Sequence, residues 1–170
     1  MNNKISGTVY WITGLSGAGK TTIAKELYKY LKTKKSNVVM LDGDILRNVY
    51  GNDLGYTEED RKKGAMRNAR VCEMLSKQGI DVICATISMF DHCRDWNRKN
   101  INNYCEIYLK VPIEVLKERN QKGLYSDNAA NVLGINMQFE EPKKSDIVIN
   151  NDGEKTVEEV LLLLIQKLSL

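Results

Sequence analysis

Short apolar runs alternate with longer amphipathic segments along most of the chain. The apolar run at 38–41 contains no polar residue, so it does not alternate between apolar and polar positions. This is typical of a parallel strand that is buried on both faces. The predicted strands are 8–12, 38–41, 81–86, 105–109 and 146–149. Strands that alternate with helices predict an α/β fold, a five-stranded parallel sheet with helices on both faces.

Helix signals separate these runs. Ile23, Leu27 and Leu31 share one face of a helix predicted over 22–31. Thr57 is a good N-cap for a long helix that Gly79 ends. Further helices are predicted at about 91–102, 111–119 and 156–168.

One stretch lacks this regularity. Residues 120–144 show little apolar periodicity, and a loop of that length in a compact domain is often a functional lid. We find no internal repeat and no linker. The chain is therefore predicted to be a single domain, 1–170, with a lid region at about 120–144.

Composition narrows the possible partners. With 170 residues, 42% hydrophobic, and a net charge of +3, the chain suits one globular domain. Its basic residues are scattered, so we expect no nucleic-acid partner, and no apolar run approaches the length of a membrane span. The four cysteines lack metal-ligand spacing and are expected to be reduced packing residues in a cytoplasmic protein.

The first predicted strand leads into a glycine-rich loop and then a helix. Gly14 to Thr21 fits G-x-x-x-x-G-K-[ST], in which backbone N–H groups cradle phosphates, the lysine reaches the β- and γ-phosphates, and the threonine hydroxyl binds Mg²⁺. The residues predicted to bind ATP here are Gly14, Ser16, Gly17, Ala18, Gly19, Lys20, Thr21 and Thr22. The sequence therefore predicts an ATP-binding phosphotransferase site.

Two carboxylates follow the second strand, at the sheet edge where open α/β sheets bind ligands. We expect Asp42 to help hold Mg²⁺ and Asp44 to accept the proton of an acceptor hydroxyl. Arg47, one turn beyond Asp44, would face an anionic acceptor. The alternatives are that Asp42 only caps the following helix and that Asp44 and Arg47 form a simple ion pair.

Several motifs together resemble the adenylylsulfate (APS) kinases, which use ATP to phosphorylate the ribose 3′-hydroxyl of adenosine 5′-phosphosulfate. They are Gly14 to Thr22, Leu41-Asp42-Gly43-Asp44 with Arg47, Asp53-Leu54-Gly55-Tyr56-Thr57 with Arg61, Ile87-Ser88, and Lys122-Gly123-Leu124-Tyr125. The resemblance implies nucleotide substrates, Mg²⁺ and a possible homodimer.

The resemblance also implies roles for individual residues. It makes Asp44 the catalytic base, with Lys20 as its catalytic partner on the donor side, and it puts Arg119 near ATP. The acceptor-binding residues that it implies are Asp42, Asp44, Arg47, Tyr56, Arg61, Arg67, Ile87, Ser88, Lys122 and Leu124, with Tyr56 stacking on the base. The metal would be held by Thr21 and Asp42.

The departures from the family lie on the acceptor side. Gly64 replaces an asparagine, Met66 replaces an arginine, and Thr86 replaces a phenylalanine. Within the lid, the segment 126–135 is shorter than in the family, lacks the family's lysines and has no aromatic residue before Gly134. Losing a stacking ring is worth about 1–3 kcal/mol, enough to change the preferred nucleotide.

We therefore expect a 3′-hydroxyl kinase with a different acceptor. The short lid resembles the branch of the family that phosphorylates cytidine 5′-diphosphoramidate in capsular polysaccharide synthesis. APS itself is the alternative acceptor, and an inactive homologue also remains open because Gly64 and Met66 remove polar groups from the acceptor site.

Overall fold

A computed structural model describes residues 6–119 and 132–170 of the chain. Its strands are β1 (Thr8–Thr13), β2 (Val38–Asp42), β3 (Asp81–Ala85), β4 (Asn103–Lys110) and β5 (Ile147–Asn150). Its helices are α1 (Lys20–Lys34), α2 (Gly43–Val49), α3 (Glu58–Ser76), α4 (Asp91–Asn100), α5 (Ile113–Arg119) and α6 (Val157–Leu168).

The five strands form one parallel sheet in the order β2-β3-β1-β4-β5. In β1, Trp11 pairs with Cys84 of β3 on one side and with Glu106 of β4 on the other. α1 packs with α6, and α3 packs with α4, so helices cover both faces of the sheet. The predicted α/β fold is confirmed.

The residues that form these elements explain where they begin. Thr57 caps α3, accepting a hydrogen bond from the backbone N–H of Asp60. Thr156 and Glu159 form a reciprocal capping box at the start of α6. None of the helices in the described ranges is both long and apolar enough to cross a membrane.

The predicted element bounds are corrected at several ends. α1 begins at Lys20 rather than Thr22, since its first turn follows directly from the glycine loop, and it continues to Lys34. β4 begins at Asn103, and α4 accordingly stops at Asn100. The short helix α2 had no predicted bounds because seven residues are too few to show a helical period.

Candidate active site

The phosphate loop joins β1 to α1. Gly14, Gly17 and Gly19 all have positive φ, at 151°, 78° and 89°. A Cβ at Gly14 would lie 2.6 Å from the carbonyl oxygen of Leu109, so β4 leaves room for glycine alone. Gly19 then starts α1, which directs the helix N-terminus at the loop.

Two side chains beside the phosphate loop, those of Thr21 and Asp42, are joined by a hydrogen bond. The Thr21 hydroxyl donates to Asp42 Oδ2 at 2.6 Å, and Asp42 Oδ1 accepts from the Asp44 backbone N–H at 2.9 Å. Lys20 Nζ donates to the Leu15 carbonyl at 2.7 Å, so its ammonium lies over the loop. Asp42 therefore caps α2, as the alternative predicted, and also contacts the threonine of the phosphate loop.

The Thr21 hydroxyl and the Asp42 carboxylate are suited to bind Mg²⁺. Mg²⁺ prefers hard oxygen ligands and is usually held by one or two protein groups together with substrate phosphates. Thr21 and Asp42 supply a hydroxyl and a carboxylate beside the phosphate loop. Within the described ranges no cluster of three or more His, Cys, Asp or Glu side chains could hold a metal by itself.

Arg119 lies against the other side of the loop. It donates to the Gly17 carbonyl at 3.2 Å and to the Asn151 carbonyl at 2.8 Å. Asn151 in turn donates to the Ala18 carbonyl at 2.8 Å. Sequence reasoning missed Asn151, although its place just after β5, at the ligand-binding edge of the sheet, was a usable signal.

A cavity of about 560 Å³ extends from the phosphate loop to α3. The predicted site residues that the structure describes all line this cavity, except Gly14, Ala18 and Arg119. Lys122 and Leu124 lie outside the described residues, as does 120–131 of the predicted lid. The cavity is large enough for a nucleotide acceptor beside a bound nucleotide phosphate.

Two arginines that were predicted to bind the acceptor converge on Tyr56. The Arg47 guanidinium donates to the carbonyls of Leu54 and Gly55 and lies 4.3 Å from the centre of the Tyr56 ring. Arg61 donates to the Tyr56 carbonyl at 3.1 Å and lies 5.4 Å from the same ring. A stacked base would therefore share Tyr56 with these guanidiniums.

Arg61 and Arg67 differ in the surroundings of their guanidinium groups. Burial, and next the charge of Arg47, lowers the pKa of the Arg61 guanidinium. An anion bound there would offset both effects. Arg67 is held by a bidentate ion pair to Asp53, with distances of 2.7 and 2.8 Å, so its contact with an acceptor remains a prediction.

The segment after β3 forms the opposite wall. The Thr13 hydroxyl donates to the Ile87 carbonyl at 2.5 Å, and Arg94 donates to the Ser88 carbonyl at 3.4 Å. Ser88 has a φ of 24°, a conformation that non-glycine residues rarely adopt and that often marks a functional segment. Phe90, which is buried, also lines the cavity.

The part of the predicted lid that the structure describes, 132–144, packs onto the phosphate loop. Val132 and Leu133 are buried and line the cavity. A Cβ at Gly134 would lie 3.1 Å from Leu15 and 3.5 Å from Phe139, so Phe139 packs behind this turn. The turn at Gly134 therefore packs against Leu15 of the phosphate loop.

Comparisons with known proteins agree with this geometry. A family model described as adenylylsulphate kinase matches residues 6–150. The chain belongs to the adenylylsulfate kinase family. It is a kinase with the phosphate-loop fold, and it transfers a phosphoryl group to a nucleotide hydroxyl.

Two relatives differ in their substrates. The chain is 42% identical to the cytidine diphosphoramidate kinase of Campylobacter jejuni, covering 95% of this chain and 96% of that one. It is 41% identical to the adenylyl-sulfate kinase of Halothermothrix orenii, covering 90% and 84%. The APS kinase of Mycobacterium tuberculosis, solved with AMPPNP and APS, superposes with a TM-score of 0.86 at 28% identity, covering 97% and 99%.

Proposed function

We propose that the protein transfers the γ-phosphoryl group of ATP to the ribose 3′-hydroxyl of cytidine 5′-diphosphoramidate, a step in capsular polysaccharide modification. The observation that carries the proposal is a phosphate-loop motif that is intact from Gly14 to Thr21, together with departures from the family pattern at Gly64, Met66 and Thr86. The 42% identity to a cytidine diphosphoramidate kinase over nearly the whole chain supports it. APS is the second candidate acceptor, because a relative named adenylyl-sulfate kinase is 41% identical.

On the donor side, the loop N–H groups and the start of α1 would bind the phosphates, with Lys20 over them. Bound Mg²⁺ would neutralise phosphate charge, and Thr21 and Asp42 are the residues that would hold it. Arg119, attached to the loop through the Gly17 carbonyl, is proposed to contact ATP.

On the acceptor side, Asp44 would accept the proton of the 3′-hydroxyl. The 3′-oxygen then forms a bond to the γ-phosphorus, while the bond from that phosphorus to the β,γ-bridging oxygen breaks and ADP leaves. Asp42 orients Asp44 by capping α2 through the Asp44 N–H. Arg47 and Arg61 would bind the anionic chain of the acceptor, and Tyr56 would stack on its base.

The test is ADP release with ATP and Mg²⁺, comparing kcat/KM for cytidine 5′-diphosphoramidate and APS. A large preference for the cytidine compound, with the new phosphate located on the 3′-oxygen by NMR, supports the proposal. A preference for APS contradicts it and favours the second candidate. Turnover with neither acceptor contradicts both candidate functions. Lys20→Ala is the control for ATP hydrolysis by contaminating enzymes.

Two further expectations remain predictions: a homodimer, which the family resemblance implies, and a cytoplasmic location, which the pattern of cysteines indicates. A homodimer would be detected by sedimentation or light scattering of the purified protein. A cytoplasmic location would be detected by fractionation of cells that express it.

A further inference from the structure

A cluster of polar side chains lies deep in the cavity wall, between α3 and the end of β3. Its members are Asn68, Thr86 and Ser88, with exposed fractions of 6%, 7% and 5%. Asn68 Nδ2 donates to Thr86 Oγ1 at 3.5 Å, and the two hydroxyls of Thr86 and Ser88 are 3.0 Å apart. Such a buried cluster is costly unless each group has a partner.

One atom of this cluster is left for a ligand. Asn68 uses its Nδ2 group within the cluster, and no residue in the described ranges donates to its Oδ1 atom. Asn68 is itself a cavity-lining residue. Because Asn68 lines the cavity, its carbonyl oxygen offers a hydrogen-bond acceptor there, which a donor on a bound ligand can engage in place of water.

The position of Asn68 on α3 indicates which end of the acceptor reaches it. Arg61, Gly64, Ala65 and Asn68 all line the cavity and follow helical spacing, so they form one face of α3. Arg61 and Asn68 are separated by about 10 Å of helix rise. The small residues between them leave room for a chain that starts at a cation and ends at an amide oxygen.

The other end of the cavity suits the base. Tyr56 and Asn68 both line the cavity, but Tyr56 is 56% exposed and Asn68 only 6%, so we take the Tyr56 end as the mouth and the Asn68 end as the floor. Asp44, which is exposed and lines the cavity near the phosphate loop, would take the ribose hydroxyl. With the base at the mouth, the 5′ chain of the acceptor extends along α3 toward the floor.

We propose that Asn68 is a specificity-determining residue that recognises the terminal P–NH₂ group of the acceptor. This inference rests on the proposed function. The P–NH₂ group carries N–H donors that Asn68 Oδ1 accepts. A terminal phosphate or sulfate presents only oxygen acceptors at neutral pH, so it meets Asn68 Oδ1 with mutual repulsion. Thr86 and Ser88 hold the amide so that its oxygen faces the ligand.

The experiment compares acceptors that differ at one end only. Cytidine 5′-diphosphoramidate and CDP differ in the terminal group, whereas the cytidine and uridine diphosphoramidates differ in the base. The ratio of kcat/KM for each pair is measured for the wild type, Asn68→Leu and Asn68→Ala. We expect both variants to lower the amidate-to-CDP ratio by about ten-fold, the size of one lost hydrogen bond, and to leave the cytidine-to-uridine ratio unchanged.

Asn97→Leu is the matched control. Asn97 is a fully buried asparagine whose Oδ1 has no partner in the described ranges, and it lies on α4 and does not line the cavity. Asn97→Leu should leave both the amidate-to-CDP ratio and the cytidine-to-uridine ratio unchanged. A change seen only in the Asn68 variants then reflects ligand recognition and not a general loss of stability. Thermal unfolding of each variant confirms that it is folded. If the leucine in Asn68→Leu packs poorly, Asn68→Ala provides a second test.

The outcomes separate this inference from the proposed function. If the wild type prefers cytidine 5′-diphosphoramidate but both Asn68 variants keep its amidate-to-CDP ratio, the inference is wrong while the proposed function stands. A change in the cytidine-to-uridine ratio instead would show that Asn68 reads the base, which also overturns the inference. If the wild type turns over only APS, the proposed function itself fails and the inference fails with it.

Discussion

Asp42 provides the sharpest test of the donor side, because it has two roles that substitutions can separate. Its side chain is buried, and it accepts hydrogen bonds from the Thr21 hydroxyl and the Asp44 N–H. Asparagine is as good an N-cap as aspartate and has nearly the same shape. Asp42→Asn therefore keeps the cap of α2 but removes the charge, whereas Asp42→Ala removes both.

The expected magnitudes follow from these contacts. Alanine loses the cap, about 1 kcal/mol, and the charged hydrogen bond to Thr21, about 1.5–3 kcal/mol. Asparagine should cost about 1 kcal/mol, since only the charge assistance is lost. For a domain of this size each kcal/mol lowers Tm by about 2–4 °C. Both variants should lose about 100-fold or more in kcat, as expected when a preorganised charge at the reacting phosphates is removed.

The assay combines thermal unfolding with ADP release over a range of Mg²⁺ concentrations. Asp152→Asn is the matched control, because Asp152 also accepts a backbone N–H, from Glu154, but does not line the cavity. Near-normal turnover of Asp42→Asn at every Mg²⁺ concentration would refute the reasoning and leave Asp42 as a helix cap alone. Equal stability of the alanine and asparagine variants would refute the capping role.

Three further predictions concern other parts of the molecule. Gly64→Ala should raise stability by about 0.5–1 kcal/mol, since the new methyl meets only Leu54 at 3.7 Å, and should raise KM for the acceptor but not for ATP; a lower Tm would contradict this. Lys20→Ala and Asp44→Asn should each abolish transfer in a folded protein, and near-normal turnover would contradict their roles. Burial raises the pKa of the Cys93 thiol to about 12, so iodoacetamide at pH 8 should label it only after unfolding; mass spectrometry of the folded protein would detect any exception.

The sequence predicted the elements well wherever the signal is local. All five strands lie where the apolar runs indicate them, within about two residues at each end. Thr57 and the acids after it predicted the start of α3, and the structure shows the cap itself. α2 was not delimited, because a seven-residue helix follows its cap and shows no period of its own.

The contacts within the site could not be predicted in the same way. Sequence reasoning left open whether Asp42 caps a helix or serves the metal, and the structure shows the capping bond together with a bond to Thr21, 21 residues earlier. Asn68 gave no signal, since an asparagine in an amphipathic helix is usually a surface residue. It becomes notable only because the segment that follows β3 places Thr86 beside it.

The sequence by itself determined the strand–loop–helix unit and its phosphate chemistry, because every residue required lies within one short segment, Thr8 to Lys34. Only the tertiary structure decided which distant groups complete the site. Asn151 reaches Ala18 across 133 residues of chain, and Arg119 reaches Gly17 across 102. The physical reason is the sheet order: parallel pairing brings the carboxyl ends of β1, β2, β3 and β5 to one edge, and that order is not encoded in any local pattern.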